Sequence, residues 1–498
     1  MTRRFFIGGA AAFGVCGAFG GNRFVPKVGI RESGKLNLRF GVISDIHVGT
    51  DVTQKNHASH CQVLRKALKW FDAQGVDAVV IAGDLADNGI ISQLEGVYSV
   101  WNEIFPNDKG FDGRPVERLF IYGNHDMGGI AYTKWLPWWK DQPEDVVRPK
   151  LIYTDPKAAW ERVFKEPYAP IWRKNVKGYD FVGAHWLSCG CRDFGDAFNP
   201  TLADFYEKQG KSFGSERPFF HIQHPHPKDT CYGPWAWGHD DGLSTRLLSR
   251  HSNVIAFSGH SHYSLTDERA IWQGAFTSIG ASSLRYGAQT YNARAPFGYE
   301  NTGAVGEEAA RLDAMKTMER YGGIWECTQG MLVSVYDDCI TIRRREFQGD
   351  LDLGADWVMP LPSAEPRPFA FASRARRARP PQFPEGATLT IVRTKGKTRK
   401  TNGHEPVEKD VVRLTFPAAL AEVGARPMEY EVAASSSAGE RAVFHVIAEG
   451  YNQAVSHKRA KSEMCCTIPV DRLPEGASQF EVIPLDCWWN RGRPIVSS

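Results

Sequence analysis

Three runs of buried-strand character in the first third of the sequence each stop on a residue able to bind a metal ion. Residues 36–44 (LNLRFGVIS) pass from alternating to continuously apolar and end at Asp45 and His47. Residues 77–82 (DAVVIA) run into Gly83-Asp84, and residues 118–122 (RLFIY) into Gly123-Asn124-His125-Asp126. Apolar runs of this length, bounded by turn residues, read as strands covered on both faces. Between the first two, His60, Leu64, Ala67, Leu68 and Phe71 recur at helical spacing, and another helical stretch precedes the third. Strand, helix, strand with polar residues at each carboxyl end predicts an open α/β sheet with its site at the strand tips. The rhythm resumes at 179–187, 218–223 (PFFHIQ) and 253–258 (NVIAFS), the last two leading into Gln223-His224-Pro225 and Gly259-His260-Ser261-His262. Strands at 276–279, 330–335 and 339–344 close a domain expected to span 37–359.

Composition sets the outer limits. The 498 residues, 42% hydrophobic and 23% charged, suit a globular chain of two to four domains. A net charge of +3 gives no nucleic-acid-binding signature. No uninterrupted apolar stretch reaches the roughly 20 residues of a transmembrane helix. Thr2-Arg3-Arg4-Phe5-Phe6, before a Gly/Ala-rich run from Ile7 to Gly21, reads as a twin-arginine export signal over 1–30. It implies an exported, periplasmic or extracytoplasmic protein; a frayed basic terminus is the alternative. Cys16 after Phe13-Gly14-Val15 fits a lipid-attachment box poorly. Ten cysteines are too few and too unevenly spaced for a disulfide scaffold, and neither Cys189/Cys191 nor Cys465/Cys466 has zinc-site spacing. Buried thiols are expected, with any disulfide pairing left open.

Residues 130–173 break the pattern, with Trp135, Trp138, Trp139, Trp160 and Trp172 among Pro137, Pro143, Pro149 and Pro156. They read as an insertion packing over or beside the site, or equally as surface helices pinned by tryptophans. Residues 360–385, rich in Pro, Ala and Arg and including Arg374, Arg376, Arg377 and Arg379, read as a solvated linker. Beyond it, short alternating runs at 388–393, 410–415, 428–433, 443–449, 464–470 and 479–485 predict a small all-β sandwich over 386–498. Its end, Phe480-Glu481-Val482 and then Trp488-Trp489-Asn490-Arg491-Gly492, resembles fibronectin type III-like modules.

The donors are Asp45, His47, Asp84, Asn124, His224, His260 and His262. Carboxylate, imidazole and amide oxygen together suit a hard divalent or trivalent ion. Seven donors exceed what one ion with an open position uses, and suit two ions sharing a carboxylate. Asp45 and His47, like His260 and His262, stand two apart, so on an extended chain each pair points one way. Gly83 permits the tight turn that aims Asp84. Each motif alone is unremarkable; the ordered set, each member following a predicted strand, is not.

That set, D-x-H, G-D, G-N-H-D, H and G-H-x-H over about residues 37–345, resembles the calcineurin-like metallophosphoesterase superfamily. The resemblance implies a four-layer α/β/β/α sandwich and two ions, iron, manganese or zinc. Asp45, His47 and His262 would hold one, Asn124, His224 and His260 the other, with Asp84 between. His224 has neighbours in His221 and His226, of which His226 is the fallback. The implied reaction is phosphoester hydrolysis by a hydroxide shared between the ions. His125 would assist the leaving group, and Asp126 would orient its imidazole. Purple acid phosphatases carry a tyrosine three residues beyond the bridging aspartate, where this chain has Asp87, so an iron–tyrosinate site is not expected. The arginine that Ser/Thr phosphatases place next is Asn88 here. Residues 230–241, with Tyr232, Trp235, Trp237 and His239, line a pocket or pack as a capped loop.

A phosphodiester is favoured over a phosphomonoester, because no cationic clamp for a dianion is evident. Two rival classes are a metal-binding protein without activity and a glycan-binding exported protein using the sandwich. Hydrolysis of a bis-aryl phosphate with manganese separates the first; glycan binding by residues 380–498 would favour the second.

Overall fold

The computed structural model describes residues 34–497, leaving out 50–54, 135, 138, 189–197, 199, 235, 288–299, 301–327, 364, 366, 398–406, 422–425 and 453–461. The proposed export signal, Cys16, the Cys189/Cys191 pair, Trp135, Trp138 and Trp235 lie outside the described residues.

Two sheets form the larger unit. The first takes β1 (Leu36–Ile43), β2 (Ala78–Ala82) and β3 (Glu117–Ile121) in parallel, each buried along most of its length. The second aligns β5 (Tyr179–Ala184), β6 (Phe219–Ile222), β7 (Val254–Ser258) and β9 (Thr277–Gly280) in parallel, with β4 (Ile171–Val176) and β8 (Ile271–Gln273) antiparallel at its edges. Next to β1 the first sheet continues antiparallel through β10 (Gln329–Tyr336) and β11 (Cys339–Glu346), which pairs with β12 (Leu351–Asp352) and β13 (Trp357–Pro360).

The sheets pack face to face because their strands are apolar on both sides. Leu38, Phe40 and Val42 of β1 join Val80, Phe181, Phe220, Ile222, Phe257, Val333 and Ile342 in one buried core. Phe40 meets Phe181, Phe220 and Phe257 edge-on at 5.2, 4.9 and 5.8 Å between ring centres. Such offset geometry suits the ring quadrupoles, and each buried ring contributes about 2 kcal/mol of transfer free energy. Outer faces carry helices. Residues Leu64, Ala67, Leu68 and Phe71 of α1 (Lys55–Ala73) and Leu94, Val97 and Trp101 of α2 (Ile91–Ile104) cover Ile43, Val79, Ile81 and Phe120. Tyr206, Leu247 and Leu248 cover the other sheet at Phe219, Val254 and Ala256. The layers are therefore α/β/β/α.

The smaller unit is all-β. Three strands, β14 (Thr390–Lys397), β15 (Glu408–Pro417) and β18 (Glu463–Pro469), face four, β17 (Arg441–Ile447), β16 (Pro427–Ser436), β19 (Ala477–Asp486) and β20 (Ile495–Val496). Val412, Leu414, Tyr430, Val432, Val446, Cys466 and Val482 share its separate core. Cys466 is a free buried thiol, as are Cys61, Cys231 and Cys487, whereas Cys465 is free and exposed; Cys339 is buried.

Residues 360–385 pack more closely than a solvated linker. They carry a helix, Phe371–Arg377, and Phe369 is buried. Arg374 pairs with Glu268, which also binds Arg344 at 3.0 Å and Trp357 Nε1 at 3.2 Å. Opposite charges fix the segment that composition alone would leave in water. Of residues 130–173, Trp160 is buried beside Tyr122, Trp139 packs on Ile90, Val147 and Leu151, and Trp172 donates from β4 to the Phe120 carbonyl at 3.2 Å. Among the described residues, no helix is long and apolar enough to cross a membrane.

Candidate metal centre

The strand tips of both sheets meet at one buried cluster. Asp45, His47 and Asp84 follow β1 and β2, Asn124 follows β3, and His224, His260 and His262 follow β6 and β7; all are buried. Two of the donor sets share Asp84, one with Asp45, His47 and His262, the other with His224 and His260. Asp84 Oδ2 lies 3.5 Å from His47 Nε2 and 3.1 Å from His224 Nε2, so one oxygen faces both. Asn124 Oδ1 is 3.0 Å from His224 Nε2. His262 Nε2 is 2.9 Å from Asp45 Oδ1 and 3.1 Å from His47 Nε2.

These spacings fit two resident ions. Donors each about 2.1 Å from one ion, at right angles to it, stand about 3 Å apart. Both His47 Nε2 and His262 Nε2, 3.1 Å apart, are placed to turn lone pairs towards one ion. Orientation fits as well. His47 donates from Nδ1 to Asp87 Oδ1 at 3.2 Å, and His224 donates from Nδ1 to the Ala82 carbonyl at 2.7 Å. In each neutral ring this fixes the tautomer that turns a lone pair on Nε2 into the cluster. Two sets of clustered ligands thus support a dinuclear metal cofactor.

Burial opposes charge on every group here, yet their mutual attraction dominates at several. His262 and His224 hold the Asp45 carboxyl well below the usual carboxylate range despite its burial. Burial would lower His47 and His224, but the carboxylates of Asp45, Asp87 and Asp84 draw His47, and those of Asp84 and Asp45 draw His224, up to about 9. The cluster therefore attracts protons where it would hold cations.

His224 faces the cluster, and its competitor does not. His226 spans Ser258 Oγ and Ser261 Oγ at 2.7 Å each and so clamps the loop carrying His260 and His262. His221 is occupied by Tyr206 Oη and Gln223 Oε1, each at 2.9 Å.

Two expectations need correction. The paired ligands do not converge from extended backbone: Asp45, His47, Asp84, His260 and His262 all have left-handed φ, between 45° and 71°. Each such non-glycine residue costs on the order of 1–2 kcal/mol, so the strand ends are strained where the donors sit. Nor does Asp126 orient His125. The Asp126 carboxylate accepts from the backbone N–H of Leu85, Ala86 and Gly123 at 3.2, 2.7 and 2.7 Å. His125 Nδ1 instead donates to the Asp87 carbonyl at 2.8 Å. Asp126 thereby ties the Asp84 and Asn124 loops together, because three N–H groups at those turns have no strand partner.

Other residues join the site, and of them only Trp237 lies in a segment already read as a pocket lining or a capped loop. Arg285 Nη1 donates to Asp87 Oδ1 at 2.5 Å, and Tyr286 lies against His262 and His47 at 4.1 and 5.7 Å between ring centres. Tyr132 stacks flat on His125 at 4.4 Å. Trp237, 53% exposed, stacks on His260 at 4.5 Å. The rest of residues 230–241 mainly packs, with Tyr232 buried and donating to the Tyr263 carbonyl, and Asp240 accepting from Lys228 N and Gly242 N. Arg285 and Tyr286 follow β9, so the rule that chemistry sits at strand ends pointed to them. They escaped notice because neither is a metal-ligand type.

Residues 38–264 match the family model described as calcineurin-like phosphoesterase. Fold, paired donor sets and this match together define a metal-dependent hydrolase. The region they span belongs to the calcineurin-like metallophosphoesterase superfamily. Similar solved structures include a dimetal phosphatase from Danio rerio, 12% identical with a TM-score of 0.34, over 65% of this chain and 99% of that one. A purple acid phosphatase from yellow lupin (Lupinus luteus) seeds is 12% identical with a TM-score of 0.40, over 65% of this chain and 53% of that one. A predicted phosphoesterase from Streptococcus pneumoniae is 10% identical with a TM-score of 0.26, over 65% and 97%. No curated protein matches the chain.

Proposed function

We propose that this chain hydrolyses phosphodiesters at a two-ion site. The observation that carries the reading is Asp84 Oδ2, a single oxygen within 3.5 Å of imidazole nitrogens from both donor sets. Asp45, His47 and His262 would hold one ion and Asn124, His224 and His260 the other. Bound there, two such ions supply Lewis acidity at phosphorus and lower the pKa of a water.

The chain's own groups do the rest. His125, its ring fixed by the Asp87 carbonyl on one side and Tyr132 on its face, directs Nε2 away from Nδ1 and the Asp87 carbonyl. Its side chain is a quarter exposed, so Nε2 can hold the proton that a leaving oxygen takes. With Nδ1–H held by the Asp87 carbonyl, Nε2 carries a proton only in the imidazolium form, and burial, which lowers the pKa of this imidazole, makes that form a ready donor. Tyr286 and Trp237 cover metal-ligand rings and exclude water from them. Arg285 is the guanidinium at the site, and Asp87 neutralises it. Among the described residues the site therefore brings no surplus positive charge for a dianionic monoester, which favours the monoanionic diester.

The test is a panel of aryl and alkyl phosphodiesters and monoesters on protein of known metal content, loaded in turn with manganese, iron and zinc. Diester turnover dependent on two ions per chain is expected. Turnover of monoesters alone would replace the diester reading, and none at full loading would replace hydrolysis by metal binding. We also infer export through residues 1–30, tested by fusing them to a folded reporter and measuring its appearance outside the cytoplasm. The fibronectin type III-like character of the sandwich is likewise a reading of ours, supported by its antiparallel sheets of three and four strands.

A further inference from the structure

The segment after His262 leads directly into the C-terminal sandwich. Thr266 Oγ1 donates to the Tyr451 carbonyl at 2.7 Å, and Ser264 Oγ lies 3.2 Å from the Asn452 carbonyl. Between them sits Gln329, the first residue of β10, with no exposed surface. Its Nε2 donates to the Asn452 carbonyl at 2.8 Å. Its Oε1 accepts from Leu265 N at 2.8 Å and lies 3.1 and 3.2 Å from Ser264 Oγ and Ser282 Oγ. Its backbone N–H donates to the Ser283 carbonyl at 2.8 Å, and Ser283 Oγ donates to the carbonyl of Asp45 at 3.1 Å. One amide thus joins the His262 segment, the segment that carries Arg285 and Tyr286, and a turn of the sandwich.

All these groups are buried, so each lost partner would leave a polar atom unpaired. The amide cannot turn round: Oε1 is held by an N–H and Nε2 by a carbonyl. His262 carries left-handed backbone, a conformation that persists only where its surroundings over-determine it. Two residues on, the bonds to Gln329, Tyr451 and Asn452 supply such surroundings.

We propose that the sandwich is a working part of the metal centre, its Tyr451–Asn452 turn acting through the positioning residue Gln329 to set His262 and the Ser283–Asp45 contact. The inference needs only that the cluster binds ions, whatever is hydrolysed. In metal-free full-length protein, manganese affinity is read by calorimetry for the parent, Gln329→Glu and Thr266→Val. Gln329→Glu sets a carboxylate oxygen against the Asn452 carbonyl, and Thr266→Val removes one donor at nearly constant shape. Arg374→Gln is the control, since Arg374 ties the segment between the two units to Glu268 and lies over the Trp488 ring of the sandwich at 5.3 Å, without touching Gln329.

Weakening of manganese binding by about tenfold or more is expected for Gln329→Glu and a smaller loss for Thr266→Val, the scale seen when groups behind a metal ligand are changed. Arg374→Gln should melt lower and bind manganese like the parent. Hydrogen exchange should also show manganese protecting residues 448–452 in the parent and failing to do so in Thr266→Val. Parent-like affinity in Thr266→Val together with unchanged protection at 448–452 would overturn the proposal, and Thr266→Val decides if Gln329→Glu does not fold.

Discussion

His125 and Asp126 are adjacent in sequence and have separate duties. Replacing His125 by Ala removes a ring that meets His47 edge-on at 4.5 Å and holds the Asp87 carbonyl, while its backbone N–H to Asp84 Oδ1 is kept. Turnover is expected to fall by about 10²–10⁴-fold while metal content stays near two per chain. Elemental analysis beside steady-state rates checks this, and loss of both ions would make His125 a ligand or a support. A second histidine, His185, is buried with Nδ1 accepting from Tyr122 N–H at 3.0 Å, and burial lowers its pKa to about 3. Its unfolded value is near 6.5, so the unfolded chain binds the extra proton between those limits. Stability from His185 is therefore complete above about pH 6.5 and lost as pH falls towards 3, by up to about 1.4 kcal/mol per unit. Urea unfolding of metal-free protein at pH 7 and 5 should show a steeper loss in the parent than in His185→Gln, which keeps an acceptor. Equal losses would remove His185 from the account.

At the scale of elements, ligands at strand ends need backbones that approach closely. Gly83 has φ +94°, and a Cβ there would stand 2.4 Å from His224 Nδ1 and 3.0 Å from Gly123 Cα. Gly83→Ala is expected to displace His224 and take metal content from two towards one per chain, readable by elemental analysis. Much of this level was legible in sequence. β1, β2, β3, β6 and β7 lie within a residue or two of their apolar runs, because strands buried on both faces have nothing but apolar side chains to offer. β4 was missed: Arg173, Lys174 and Asn175 alternate with water on an edge strand within a tryptophan-rich stretch. At the ligands, residue types were legible and backbone shape was not, since left-handed φ at an aspartate or histidine leaves no compositional trace. The Asp126 role misled for a related reason. The partner of His125 Nδ1 comes from Asp87, 38 residues earlier, a distance that adjacency cannot reveal.

Charge as well as apolar contact holds the segment between the two units against the larger one. Glu268 gathers Arg344, Arg374 and Trp357, and the two guanidinium groups hold its carboxyl down at about 2 although burial works against ionisation. Glu268→Gln leaves both cations without a counter-charge and should cost on the order of 2–3 kcal/mol, seen as a lower denaturant midpoint. An unchanged midpoint would show that the strap is held by its apolar side chains alone. The sandwich itself was legible from alternation and turn spacing. Its union with the larger unit was not, because backbone carbonyls at Tyr451 and Asn452 make much of it, and carbonyls carry no sequence signal.

His47 and His262 stand 215 residues apart along the chain and 3.1 Å apart in space. An ion held by both is a clasp across one of the longest loops the fold contains, made by coordination and not by a covalent link. Closing such a loop is entropically costly, so the clasp forms after both sheets have docked and is absent while they search for each other. Ions should then slow unfolding far more than they speed folding. Stopped-flow traces with manganese and with chelator are expected to differ in the unfolding limb and to coincide in the refolding limb. The pair of ions would thus act as a timer on the lifetime of the folded chain, as well as on its chemistry.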